Sequence, residues 1–182
     1  MTHSALLSDL WRDPKRLTLI ALIGAASAFV AALISQYGFG LQPCKLCLWQ
    51  RYPYAIGGVL ALAALLRPAS ARPLLALAAL AFLANTGLAA FHSGVEFGWW
   101  KGFASCSAPA PEGLTPEELM EQLRNTSLVR CDERQPFFLG LSMTNWNLIV
   151  CAGFAALLGR AATLAARPEA TPAGYSSSSA SQ

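Results

Sequence analysis

Four long apolar blocks constrain this chain more than any other feature. The first, residues 17–36, runs 20 positions without a charge, and blocks at 52–66, 74–91 and 146–159 follow. A helix needs about 20 apolar residues, range about 17–25, to cross the hydrocarbon core of a bilayer, and flanking aromatics extend shorter stretches. Charged residues are 13% of the chain, about half the share in an ordinary soluble domain. Gly and Ala recur through all four blocks, as close helix packing in lipid requires. The expectation is an all-α membrane protein, a bundle of four transmembrane helices at about 17–36, 51–67, 74–91 and 144–163. The first block is long for a signal-peptide core and lacks a convincing cleavage site, so it is read as a retained helix.

The basic residues set the expected orientation. With the N-terminus inside, the inner segments hold Arg12, Lys15, Arg16, Arg67, Arg72, Arg160 and Arg167; the outer segments hold Lys45, Arg51, Lys101, Arg124, Arg130 and Arg134. Four of the outer six fall in one long loop, where they carry little weight, so the bias near helix ends favours both termini inside. The outer loops are then 37–50 and 92–143. The net charge of +3 offers no basic face for nucleic acid.

Within the long outer loop, Phe97, Trp99, Trp100 and Phe103 suit the headgroup layer. Thr115-Pro116-Glu117-Glu118 is a helix-start signal, with a cap, a proline at the first helical position and an acid that completes a capping box. Leu119 and Leu123 share a face, so a short amphipathic helix is expected on the outer surface. Residues 164–182, rich in Pro, Ala and Ser, read as a disordered inner tail.

The chemistry lies in the cysteines. Pro43-Cys44-Lys45-Leu46-Cys47 places a Cys-x-x-Cys pair at the outer edge of the second block. Such a pair closes a small disulfide or supplies half of a zinc site. A four-thiolate zinc site usually presents a second close pair, whereas Cys106 and Cys131 lie 25 positions apart. Three disulfide connectivities are open to these four residues; one bridge per outer loop is the simplest. The second helix begins next to the Cys44–Cys47 pair, and its positive N-terminal end stabilises a thiolate. Arg51, four residues after Cys47, carries donors suited to a thiolate or a carbonyl oxygen; the alternative role is an interfacial anchor. Cys151, inside the fourth block, reads as a small apolar filler without a partner at its depth.

Taken together, Pro43-Cys44-Lys45-Leu46-Cys47 with Arg51, His92, Cys131-Asp132-Glu133-Arg134-Gln135, Phe138-Leu139-Gly140-Leu141, Met143 and Trp146 resemble the bacterial disulfide bond formation protein B (DsbB) family. The similarity covers about residues 15–160, within a DsbB-like membrane domain of 1–163. It implies a multi-pass protein of the bacterial inner membrane with its redox cysteines facing the periplasm. It also implies a protein dithiol:quinone oxidoreductase that reoxidises a DsbA-like thioredoxin-fold oxidase.

By resemblance, a Cys106–Cys131 disulfide accepts electrons from that partner, with Cys106 taking the mixed disulfide. Exchange passes through a Cys44–Cys131 link, and Cys47 donates to a quinone, ubiquinone or menaquinone, bound near Arg51 and His92. His92 reads equally well as an ordinary interfacial histidine. Gln50 stands where some relatives carry an acid, so no role transfers to it. Glu133-Arg134 and the Phe138–Leu141 stretch are expected to support loop geometry, and no metal is expected. From another class, the competing reading is a non-catalytic tetraspan protein with two structural disulfides or a metal clamp.

Overall fold

A computed structural model describes residues 11–103, 115–117, 120, 130–134 and 136–165. Its helices are α1 (Pro14–Tyr37), α2 (Lys45–Leu66), α3 (Ala71–Glu96) and α4 (Met143–Ala165), with a 3-10 turn, Pro68–Ser70, joining α2 to α3. Before α4 lies a two-stranded antiparallel ribbon, β1 (Pro136–Phe138) and β2 (Leu141–Ser142). This ribbon is the departure from the all-helical expectation among the described residues. Cys106, the tail beyond residue 165 and most of the surface helix expected near 115–123 lie outside them.

The helix starts follow from local chemistry. Asp13 caps α1, accepting from the backbone N–H groups of Lys15 at 2.9 Å and Arg16 at 3.4 Å, with Pro14 at the first position. Helix α2 begins at Lys45, six residues before the expected start at 51, because Cys44 acts as its cap. Helix α3 continues past the apolar block to Glu96, which brings His92 inside it.

Among the described residues, three segments are long and apolar enough to cross a membrane: Pro14–Tyr37, Pro68–Glu96 and Met143–Ala165. Helix α2 has 22 residues, with Lys45 and Arg51 ahead of its apolar stretch, 52–66. Helix α3 packs along α4 and α2, and α1 closes the arrangement against both. The core holds Leu17, Ala21 and Ala25 of α1, Ala61 and Ala64 of α2, Leu75, Ala78 and Phe82 of α3, and Cys151, Phe154 and Leu158 of α4.

Small residues are what let large rings fill the centre. A Cβ at Gly57 would collide with the Phe82 ring, and one at Gly24 with the Phe154 ring. Those rings meet edge to face at 5.3 Å, and Tyr54 stands edge-on to Phe82 at 5.5 Å. Ile23, Val59 and Leu80 point outward and are more than half exposed. A continuous apolar exterior of this kind suits lipid and is unfavourable in water.

Candidate functional site

At the α2 N-terminus, Cys44 is the N-cap, and its sulfur accepts the backbone N–H of Cys47 at 3.3 Å. Its thiol donates to the Cys47 sulfur, 2.9 Å away. Both residues lie ahead of the apolar stretch of α2. Donating that hydrogen bond, together with burial, pushes the Cys44 thiol up to about 12. Receiving it brings the Cys47 thiol below its ordinary value, against the opposing effect of burial. The pair is therefore asymmetric, with Cys47 the sulfur that carries charge first.

Cys131 is 1% exposed and packs with Cys44, Leu46 and Val95. An ion pair next to it, Arg130 to Asp132 through two bonds of 2.9 and 2.7 Å, tightens its turn. That arginine holds the Asp132 carboxyl below the usual carboxylate range. The ribbon follows. Leu139 (φ 51°) and Gly140 (φ 73°) form its turn with both residues in the left-handed region. Arg134 donates to the Gly140 carbonyl at 3.0 Å and lies over the Phe97 ring, 4.7 Å from its centroid. Trp146 of α4 donates to the Phe138 carbonyl at 3.1 Å. The hairpin thereby ties the Cys131 segment to the start of α4.

His92 is 2% exposed. Its Nε2 lies 3.6 Å from the Cys44 sulfur and 3.9 Å from Oε1 of Glu96, one turn further along α3. Its Nδ1 faces Gln50 Nε2 at 3.1 Å and Thr144 Oγ1 at 3.3 Å. Glu96 Oε2 accepts from Ser142 Oγ at 2.5 Å. Gln50 accepts from Asn147 Nδ2 at 2.6 Å, and Asn147 accepts from the Tyr54 hydroxyl at 2.7 Å. Cys151 joins the same network. It receives Asn85 Nδ2 at 3.2 Å and lies 3.3 Å from both the Tyr54 hydroxyl and Asn147 Oδ1. It sits in the apolar core yet meets polar groups from three helices, which corrects the expectation that it has no partner at its depth.

Arg51 donates to Gln36 of α1 at 2.5 Å, leaving a guanidinium with further donors at the cavity edge. The cavity measures about 330 Å³, and Cys44, Cys47, Gln50, Arg51, His92 and Cys131 all line it. Its remaining wall is largely apolar, with Ala28, Phe29, Ala31 and Ala32 of α1 and Val150 of α4. An apolar slot with a few convergent polar groups is what a small planar ligand needs. A flat ring with a carbonyl oxygen fits this donor set, with Arg51 as the group for the oxygen. The two sulfurs and His92 Nε2 also lie within 4.8 Å of one another, a spacing that a thiophilic ion spans.

Five of the six residues singled out in the sequence thus meet at one cavity. Gln50, Glu96, Ser142, Thr144 and Asn147 were not singled out. A signal for some of them existed, since His92 and Glu96 are four apart on one helix, as are Asn147 and Cys151. Asn147, a polar side chain inside the fourth apolar block, is itself a pointer to function.

Comparison with known proteins adds an independent line. The model of the family described as disulfide bond formation protein DsbB matches residues 14–161. A disulfide bond formation protein B of Azoarcus sp. (strain BH72) is 34% identical over 158 residues, 81% of this chain and 89% of the relative. One from Xanthomonas campestris pv. campestris (strain 8004) is 32% identical over 144 residues, 75% and 83% of the two chains. An uncharacterized protein of Rickettsia prowazekii (strain Madrid E), RP370, is 30% identical over 138 residues, 75% and 80%. No solved structure gives a significant match.

Proposed function

The chain belongs to the DsbB family of disulfide bond formation proteins, and on that premise we propose that it carries electrons from a protein dithiol to quinone at the outer face of the bacterial inner membrane. The electron donor in this reading is a DsbA-like thioredoxin-fold oxidase, and the four helices all span the bilayer with both termini inside. The observation that carries the reading is the convergence of Cys44, Cys47, Cys131, His92 and Arg51 on one largely apolar cavity.

The electron path runs by thiol–disulfide exchange. A partner thiolate attacks Cys106, breaking a Cys106–Cys131 disulfide and freeing Cys131 as thiolate. Cys131 attacks Cys44 and breaks the Cys44–Cys47 disulfide, so that Cys47 leaves as thiolate. The second partner thiolate displaces Cys106, and the partner departs oxidised. Cys106 then regains Cys131, leaving Cys44 and Cys47 as the reduced pair. The burial of Cys131 in one cluster with Cys44 supports the middle step, and the downward shift of the Cys47 thiol supports its role as leaving group and donor.

A bound quinone supplies a two-electron, two-proton acceptor, ubiquinone or menaquinone. Arg51 is the group to hold its oxygen and offset negative charge there. The helix start at Cys44 holds Cys47 against the same cavity. Overall, one dithiol becomes a disulfide while one quinone gains two electrons and two protons.

The test mixes the purified protein with a short-chain ubiquinone and a reduced thioredoxin-fold dithiol protein, following quinone absorbance. Catalytic bleaching that Cys47→Ser abolishes is expected. Absence of turnover, with Cys47→Ser matching the parent protein, overturns the reading in favour of a structural tetraspan protein.

A further inference from the structure

A chain of side-chain hydrogen bonds ends on His92, and its direction fixes where the imidazole proton lies. The Tyr54 hydroxyl donates to Asn147 Oδ1 at 2.7 Å. Asn147 then presents its Nδ2 to Gln50 Oε1 at 2.6 Å. Gln50 in turn presents Nε2 to His92 Nδ1 at 3.1 Å. An amide nitrogen only donates, so Nδ1 must accept and the ring proton belongs on Nε2.

Amide orientations are assigned from such networks, and the reversed chain, with the amides turned round, is the competing arrangement. The other side of the ring decides between them. Nε2 faces Glu96 Oε1 at 3.9 Å and the Cys44 sulfur at 3.6 Å. A carboxylate only accepts, and the Cys44 hydrogen is already directed to Cys47. The reversed chain would aim a bare nitrogen lone pair at two acceptors. Between the two neutral tautomers, both faces of the ring therefore select the same one.

We propose that Gln50 and Asn147 are positioning residues that hold His92 as the Nε2–H tautomer, with its ring donating toward the Cys44 sulfur. Its importance for the electron path rests on the proposed function. Cys44 is the sulfur that joins Cys131, and the Nε2–H donor stabilises its thiolate as Cys44 is freed. The same assignment disfavours metal capture by Cys44, Cys47 and His92, because a protonated Nε2 cannot ligate.

The chain has two histidines, which makes the ring directly observable. Full-length protein labelled with ¹⁵N-histidine is measured in lipid nanodiscs at neutral pH, with His92→Ala identifying the His92 signals. The parent protein is expected to show a protonated-type Nε2 and an unprotonated-type Nδ1. Gln50→Glu, nearly isosteric, places a carboxylate on Nδ1 and is expected to bring a proton there. Asn147→Leu frees the Gln50 amide and is expected to give mixed tautomers. A parent spectrum with the proton on Nδ1 overturns the proposal, as does an unchanged spectrum in Gln50→Glu. If Asn147→Leu fails to fold, Gln50→Glu alone decides. The measurement uses neither quinone nor partner, so its outcome stands apart from the activity test.

Discussion

At the scale of single residues, the site works by making two chemically identical thiols unequal. Cys44 donates a hydrogen bond and Cys47 receives it, so the first proton to leave the reduced pair comes from Cys47. Because the Cys44 thiol is pushed up to about 12, it stays neutral where an ordinary thiol has ionised. With rising pH, alkylation of Cys47 is expected to saturate first. Alkylation of Cys44 keeps climbing beyond pH 9 toward about 12. The largest cause of the Cys44 shift is its bond to Cys47, so Cys47→Ala should bring the Cys44 profile down; mass-spectrometric alkylation profiles check both. Arg51 belongs at this scale too. A charge-assisted hydrogen bond is worth about 1.5–3 kcal/mol, so Arg51→Gln should raise the KM for quinone about tenfold or more while the dithiol pair still forms.

At the scale of elements, the start of α2 shows where sequence patterning stops short. Apolar periodicity locates helices by their greasy span, and on that basis α2 was expected from 51. The capping sulfur of Cys44 extends it back to Lys45, which moves the thiol pair from a loop onto a rigid helical turn. Likewise α3 runs on to Glu96, because polar His92 and Glu96 find buried partners that hydropathy alone does not anticipate. The ribbon before α4 escaped for a similar reason, since its strands are three and two residues long.

Two substitutions test this level. Gly57 lies against the Phe82 ring, so Gly57→Leu should destabilise the bundle by about 1–3 kcal/mol, read as a lowered melting temperature in detergent. Leu139 occupies the left-handed region at φ 51° while largely exposed. Asn tolerates that conformation better, so Leu139→Asn should stabilise the hairpin by about 1 kcal/mol, read by slower hydrogen exchange there.

At the scale of the whole molecule, the cavity is assembled by all four helices and the segment that returns to α4. The proposed path needs Cys106 and Cys131 to act as a pair with separate roles. Cys131→Ala should therefore trap the soluble partner as a mixed disulfide through Cys106, visible on non-reducing gels; trapping through Cys44 would reverse the electron order.

The sequence by itself determined the greasy helices, the Cys-x-x-Cys at the edge of the second of them, and the family. These depend on residue type and spacing along the chain. Only the tertiary structure decided that Cys131 shares a buried cluster with Cys44, that His92 turns toward that sulfur, and that Gln50, Asn147 and Tyr54 form a hydrogen-bonded chain leading to its ring. Those contacts join residues 42 to 97 positions apart. Hydrogen-bond direction at such separations is set by how helices pack, which local pattern does not encode.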